Sequence, residues 1–297
     1  MINGWINLYK PRGISSAKAV SIVKRSFPKR KIGHTGTLDL EAEGVLPIAI
    51  GESTKLVSIL IDAKKQYKFT VKFGAKTDTA DSAGKITENC DYIPSKTQCF
   101  EVVKEFIGEI KQIPPSYSAL KVNGQRAYKM AREKGEFLTL PSRYINIYDL
   151  KCVDYDELEG TASFICTCSK GTYIRTLAED ISLNLQSLGY VIELQRLKVG
   201  MFDYGNSLNV ENILKLAPDD QKMMLAEKCL KIESVLDDIP VLDANEEQVQ
   251  KIKFGQAVSF DYEHDLNIVR VRSPSSALIA IGNLHSKDFK SSRVFNL

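Results

Sequence analysis

Gly33-His34-Thr35-Gly36-Thr37-Leu38-Asp39 is the stretch on which the rest of the chain depends. Its glycines, with Gly44 just beyond, allow positive φ and close approach of backbone to a ligand. His34 is one of only three histidines. Asp39 is the first acidic residue of the chain. Before it come eight basic residues: Lys10, Arg12, Lys18, Lys24, Arg25, Lys29, Arg30 and Lys31. One carboxylate behind a wholly basic arm is the pattern of a single catalytic group presented to a polyanion. The commoner fate of a loop aspartate is a solvated Asx turn, so the decision rests with the remaining sequence.

The chain has 297 residues, 43% hydrophobic and 26% charged, which makes it globular, with length for about two domains. Net charge is only +3, so the basic character is local. Residues 211–250 reverse it, with ten acids against four lysines. The six cysteines are scattered without a Cys-x-x-Cys and read as small core residues in a reducing compartment. There is no His-Glu-x-x-His, no signal-peptide h-region and no apolar run of membrane-spanning length. A cytoplasmic protein without metal, cofactor or membrane contact is expected.

Working outward, Ile2–Leu8 reads as a strand stopped by Lys10-Pro11-Arg12-Gly13. Ser15 or Ser16 caps a helix through Phe27, with Val20, Val23 and Phe27 inward. That helix and the loop after it present Lys24, Arg25, Lys29, Arg30 and Lys31, candidate phosphate contacts. Val45–Ile50 reads as a buried strand, followed by a helix capped by Ser53 with Leu56, Ile59 and Leu60 inward. Gln66–Gly74 alternates, with Tyr67, Phe69, Val71 and Phe73 on one face. Thr77–Gly84 is a polar loop. Ser95–Gly108 is expected to be a capped helix burying Val102, Val103, Phe106 and Ile107. Asn123-Gly124 signals a hairpin turn, and Ala127–Lys134 a short helix closed by Gly135. Strands follow at Arg143–Val153 and Thr161–Ser169, the latter with Phe164, Cys166 and Cys168 on one face. A helix with Ile174, Leu177, Ile181 and Leu185 inward is expected to stop at Gly189. Tyr173 and Arg175 lie at its N-terminus, off that face. An arginine there opposes the helix dipole, so it needs another partner. Tyr190–Val199 is a further strand, and 209–230 is helical, with Asn209 and Pro218 as start signals. Beyond Leu236–Pro240 a helix (Asn245–Phe254) and strand-like runs at Ile268–Arg272 and Leu278–Leu284 suggest a small β-rich domain.

Four motifs now stand in order: Gly33–Asp39 with Gly44-Val45-Leu46-Pro47, Ser116-Tyr117-Ser118-Ala119-Leu120-Lys121, and Ser169-Lys170-Gly171-Thr172-Tyr173-Ile174-Arg175. Together with Lys10-Pro11-x-Gly13 and Gln66-Tyr67-Lys68, the chain from Ile2 to Val199 resembles the TruB family of tRNA pseudouridine-55 synthases. The resemblance implies isomerisation of a uridine in the T-loop of tRNA: the N1–C1′ bond breaks, the uracil turns, and C5 joins C1′. It implies Asp39 as the essential aspartate, acting as nucleophile or base. Tyr67 would stack on the target base, and Arg175 would pair with Asp39 and hold it ionised. His34 would stand near the flipped nucleotide, with Tyr173 and Leu194 as pocket walls. Lys29, Arg30 and Lys31 would meet the RNA backbone.

The implied fold is α+β: a mixed, largely antiparallel sheet with flanking helices and a central catalytic cleft. Residues 1–238 would form the synthase domain and 239–297 a small PUA-like RNA-binding domain. The implied partner is the T-arm of tRNA, met by a monomer without a guide RNA. The alternative is a non-catalytic RNA-binding or RNA-folding protein on the same scaffold. Two departures stand out. The family reads Asp-Pro-x-Ala-x-Gly where this chain has Asp39-Leu40-Glu41-Ala42-Glu43-Gly44. Loss of the proline is expected to loosen the turn, and Glu43 to bring a second negative charge near Asp39. Leu194 is followed by Gln195-Arg196 instead of an Arg-Arg pair, which would leave one phosphate contact missing.

Overall fold

A computed structural model of the chain describes residues 2–115, 117, 121–122, 125–126 and 140–297. The chain begins with β1 (Gly4–Lys10), α1 (Ser16–Ser26), β2 (Ile32–His34) and β3 (Glu43–Ile50). A 3-10 turn (Gly51–Leu56) leads into α2 (Val57–Asp62), then β4 (Lys65–Phe73), β5 (Ala75–Thr77), β6 (Ile86–Asn89) and α3 (Lys96–Glu101). Next come β7 (Gly108–Gln112), β8 (Lys121–Val122), β9 (Gln125–Arg126), β10 (Arg143–Asp156), β11 (Thr161–Cys168), α4 (Ile174–Asn184) and β12 (Gly189–Val199). After β12 the elements are β13 (Phe202–Asp203), β14 (Leu208–Asn209), α5 (Val210–Leu214), α6 (Pro218–Glu227) and β15 (Leu230–Lys231). The chain ends with β16 (Val241–Asp243), α7 (Glu246–Lys253), β17 (Val258–Ser259), β18 (Leu266–Arg272), β19 (Leu278–His285) and β20 (Asp288–Val294).

The main sheet runs β14-β1-β3-β12-β4-β11-β10-β7. Its neighbours are antiparallel except β1 with β14 and β3 with β12. The fold is therefore α+β with a mixed, largely antiparallel sheet. A second sheet, β16-β18-β19-β20-β17, follows in the C-terminal part. Among the described residues no helix is long and apolar enough to cross a membrane.

Alternation on β4 buries Phe69, Val71 and Phe73 on one face, where Phe69 stacks on Phe164 of β11 at 5.3 Å. Helix α4 closes that face with Ile174, Leu177, Ala178 and Ile181. Burying side chains of this size contributes about 1.5–3 kcal/mol each. A second core forms where α1 lies on β1 and β3, around Ile6, Leu8, Ile22, Val23, Leu46 and Ile48. Tyr67 and Leu194 touch both cores, so they mark the seam between them. On the opposite face of the sheet Trp5, Val45 and Phe202 pack with Leu278, Ile281 and Phe295 from the C-terminal part.

Several local expectations change. The inward face of α1 is Ala19, Ile22 and Val23, and Val20 is only partly buried. The spacing allows either face; the small Ala19 lets the helix sit close to the sheet. Ser15 is the cap, its Oγ accepting from the Lys18 N–H at 3.1 Å. Ser53 caps nothing: it lies inside the 3-10 turn, and α2 starts only at Val57. Ile107 is 50% exposed because α3 tightens into a 3-10 turn at Val102–Phe106 and the chain then turns into β7. Helix α4 ends at Asn184, with Gln186 in the left-handed region, and Gly189 opens β12. A Cβ at Gly189 would meet Ser182 and Val71, so this glycine serves close packing rather than helix termination. The Asn123-Gly124 turn, the helix expected at Ala127–Lys134 with Gly135, and most of Ser116–Lys121 lie outside the described residues.

Candidate active site

The sheet is joined at its centre by a short parallel contact, Glu43 with Gln195 and Gly44 with Arg196. Gly44 has φ +114°, and a Cβ there would run into the Arg196 backbone. Only glycine lets β3 approach β12 this closely. The loop between β2 and β3 therefore opens over the seam, and it carries Asp39.

Asp39 is held from below and presented above. Its neighbour Leu38 is pinned by the buried Ser16 hydroxyl, which accepts from the Leu38 N–H at 2.9 Å and donates to the Leu38 carbonyl at 3.0 Å. The Asp39 side chain remains 48% exposed, while the Arg175 side chain beside it is only 6% exposed. Arg175 Nη2 stands 2.8 Å from Asp39 Oδ2. The same nitrogen donates to the Tyr117 carbonyl at 3.0 Å, and Nη1 to the Thr79 carbonyl at 2.9 Å. Arg175 is the second residue of α4, where the helix dipole disfavours a cation. Two carbonyls and two carboxylates offset that cost.

The second carboxylate is Asp81, whose Oδ2 lies 3.5 Å from Arg175 Nη1. Sequence reasoning treated Asp81 as part of a polar loop and expected Glu43 near Asp39 instead. Burial first, and the neighbouring Glu43 carboxylate second, push the Tyr9 phenol upward. Asp81 accepts from Thr79 Oγ1 at 2.6 Å and from the Ala83 N–H at 3.1 Å, which aims its other oxygen at the guanidinium. Nothing local separated Asp81 from Asp78, which accepts from the Lys85 N–H of the same loop. Only the approach of α4 distinguishes them.

One cleft is lined by Asp39, Glu41, Asp81, Arg175, Val191 and Leu194. Tyr67 on β4 is partly buried and, like Leu194, packs against both cores, though it is not among the residues lining the cleft; burial raises its phenol above the ordinary value, so the ring is neutral. His34 ends β2, and its Nδ1 accepts from the Gly36 N–H at 3.2 Å. Burial and then the nearby Arg196 charge lower its pKa, leaving a neutral imidazole that offers no charge to phosphate. Tyr173 caps α4 with its backbone clamped by Gln112, at 2.8 and 3.1 Å, and its ring lies 4.8 Å from the Arg143 guanidinium. Neither His34 nor Tyr173 lines the cleft. Lys29 and Lys31 are exposed and Arg30 partly so, in the turn between α1 and β2.

Arg196 and Lys10 are buried like Arg175. Arg196 is 2% exposed; its Nε donates to the Val45 carbonyl at 2.7 Å and its Nη2 to the Gly36 carbonyl at 3.1 Å. It braces the Asp39 loop from beneath and is not a phosphate contact. Lys10 is wholly buried and donates to the Pro11 and Ile14 carbonyls at 3.0 and 2.8 Å. Burial lowers its pKa to about 8, against the opposing pull of Asp39. Relative to Lys10→Met, wild-type stability is expected to rise from pH about 8 to 10.5. Within that window the unfolded chain holds a proton that the folded chain has released. Urea unfolding of both proteins at the two ends measures this, and a constant difference between them would count against it. No cluster of three or more His, Cys, Asp or Glu side chains that could hold a metal occurs among the described residues.

Comparison with known proteins bears on this geometry. The family described as TruB family pseudouridylate synthase (N terminal domain) matches residues 24–174. The protein called tRNA pseudouridine synthase B of Rickettsia bellii (strain OSU 85-389) is 59% identical over 293 residues, covering 99% of this chain and 98% of its own. Its namesake in Rickettsia akari (strain Hartford) is 53% identical over 299 residues, covering all of both chains. Among solved structures, an H/ACA RNP bound to a substrate RNA containing 2′-deoxyuridine includes a chain that superposes with a TM-score of 0.73 at 20% identity, over 99% of this chain and 85% of the other. A Cbf5-Nop10-Gar1 complex gives 0.71 at 22% identity, over 99% and 84%. At such identities the solved structures speak for the fold alone.

Proposed function

The chain belongs to the TruB family of pseudouridylate synthases, and on that footing we propose that it acts at uridine 55 in the T-loop of tRNA, with Asp39 as its essential carboxylate. It is an enzyme that isomerises uridine to pseudouridine in tRNA. The observation that carries the site assignment is the half-exposed Asp39 held 2.8 Å from the buried Arg175 guanidinium. The reaction breaks N1–C1′, turns the uracil and joins C5 to C1′; a proton leaves C5 and N1 gains one. A carboxylate can attack the base or sugar, or accept a proton, only while ionised. Arg175 fixes the carboxylate's direction. Asp81 holds Arg175 from the other side.

A base in folded RNA must leave its stack to reach this cleft. Tyr67 offers the target base an aromatic face, Leu194 walls the pocket, and the neutral His34 ring fills space beside the displaced nucleotide, while Tyr173 stands outside the cleft against Arg143. We assign residues 1–238 to the synthase unit and 239–297 to a PUA-like RNA-binding unit. The enzyme works as a cytoplasmic monomer on the T-arm and needs no guide RNA. Purified protein incubated with unmodified tRNA alone is expected to form pseudouridine at position 55, mapped at single-nucleotide resolution. Conversion only at another site, or only after a guide RNA is added, would overturn these assignments.

Lys29, Arg30 and Lys31 give the RNA backbone its cationic contact. Neutralising all three is expected to weaken tRNA binding and flatten the dependence of log affinity on log salt. Each lost phosphate contact removes about 0.7–0.9 from that slope. The rate at saturating tRNA changes much less. An unaltered slope would leave this cluster a solvated surface.

A further inference from the structure

We propose that Arg12 and Glu41 form a clasp that positions the Asp39 loop against the Asp81 loop, which makes both of them positioning residues for the isomerisation; the inference rests on the functional reading above. On its N-terminal side Asp39 is already fixed through Leu38 and the buried Ser16 hydroxyl. On the C-terminal side the chain has Leu40 where the family pattern has proline, and the Leu40 side chain is 48% exposed. No ring closure restrains the turn, whose own backbone bond is the Ala42 N–H on the Asp39 carbonyl at 3.3 Å.

The segment just after β1 adds restraint from outside the loop. The Gly13 N–H donates to the Leu40 carbonyl at 2.9 Å. Arg12 Nε donates to Glu41 Oε2 at 2.8 Å. Arg12 Nη2 continues to Ser82 Oγ at 3.0 Å. Ser82 follows Asp81 directly, and its N–H donates to the Val191 carbonyl of β12 at 2.9 Å. One guanidinium thus ties together the two loops whose carboxylates share Arg175. The ring closes through Asp39, Arg175, Asp81, Ser82, Arg12 and Glu41.

The pair is partly exposed, 48% for Arg12 and 31% for Glu41, so its effect is bounded. An ion pair in such a setting is worth up to about 1 kcal/mol, equivalent to about a fivefold change in rate. Its sign is distinctive. Glu41→Gln removes a negative charge from a surface that faces RNA, which by charge alone leaves binding unchanged or tighter. If Glu41 positions the loop, the same change slows chemistry.

The test is single-turnover pseudouridine formation at saturating tRNA, with affinity measured in parallel. Glu41→Gln is expected to lower the rate constant about fivefold without raising Kd. The charge-swapped double variant Arg12→Glu/Glu41→Arg is expected to recover most of that loss. An unchanged rate in Glu41→Gln overturns the clasp. So does a rate loss that the swap leaves in place, or a loss of affinity in step with the rate, which would make Glu41 part of the RNA contact. Wild-type protein run alongside separates the two levels. If it forms no pseudouridine, the functional reading fails and the clasp falls with it; if it is active and Glu41→Gln matches it, the clasp alone fails.

Discussion

Asp39→Asn is expected to bind tRNA as the wild type does and to lose pseudouridine formation by on the order of 10⁴-fold or more. Asparagine has nearly the shape of aspartate, and Leu38 on one side and Leu40 on the other are held through their backbones. Arg175 keeps the Thr79 and Tyr117 carbonyls and Asp81 as partners, so the guanidinium stays in place. What disappears is a half-exposed anion able to attack or to accept a proton. If the proposed phosphate contacts of Lys29, Arg30 and Lys31 carry the affinity, binding and chemistry separate. The measurement pairs a filter-binding titration with nucleotide-resolution mapping, using protein from a host lacking its own enzyme. Turnover within tenfold of wild type would remove Asp39 from the mechanism.

Arg175→Met has the second large effect, on stability as well as on rate. The substitution keeps much of the aliphatic stem but removes the charge and the fork that meets four acceptors. Asp81 has a side chain only 13% exposed and loses its counter-ion. Stranding a buried charge costs about 3–5 kcal/mol. Asp39 is more exposed and has water available, so its loss is one of orientation, and single-turnover formation is expected to fall by about 10²-fold or more. Adding Asp81→Asn separates the two consequences. The double variant is expected to regain part of the lost stability, because a neutral amide tolerates the site, while its rate stays low. Urea unfolding and single-turnover kinetics on the same preparations decide the matter. Wild-type kinetics in Arg175→Met would withdraw Arg175 from the site, and a double variant no more stable than the single one would withdraw Asp81 from the ion pair.

The sequence marked residues with a local reason to be unusual. Asp39 stood out because eight cations precede it and glycines flank it. Arg175 stood out because a cation opens an amphipathic helix against the helix dipole. The alternation of Tyr67, Phe69, Val71 and Phe73 declared a half-buried strand, and β4 lies within the main sheet. Where local signals were degenerate, the reading slipped. Val20 and Ala19 satisfy the same spacing on α1, and Gly189 looked like a helix stop although Gln186 makes the left-handed turn.

Spacing by itself marked the principal strands and helices and the loop that carries Asp39, because periodicity, capping and glycine placement act over a few residues, whereas the fold class came with the family resemblance. Tertiary structure alone decided which charges meet. Lys10 counted among the cations of the basic arm, yet it is buried and bonded to backbone carbonyls, as is Arg196. Asp81 read as one of two equivalent loop aspartates, yet only Asp81 reaches Arg175. The physical reason is range. A side chain's environment depends on elements far away in sequence, 94 residues from Asp81 to Arg175 and 136 from Asp39 to Arg175, and no local pattern carries that distance.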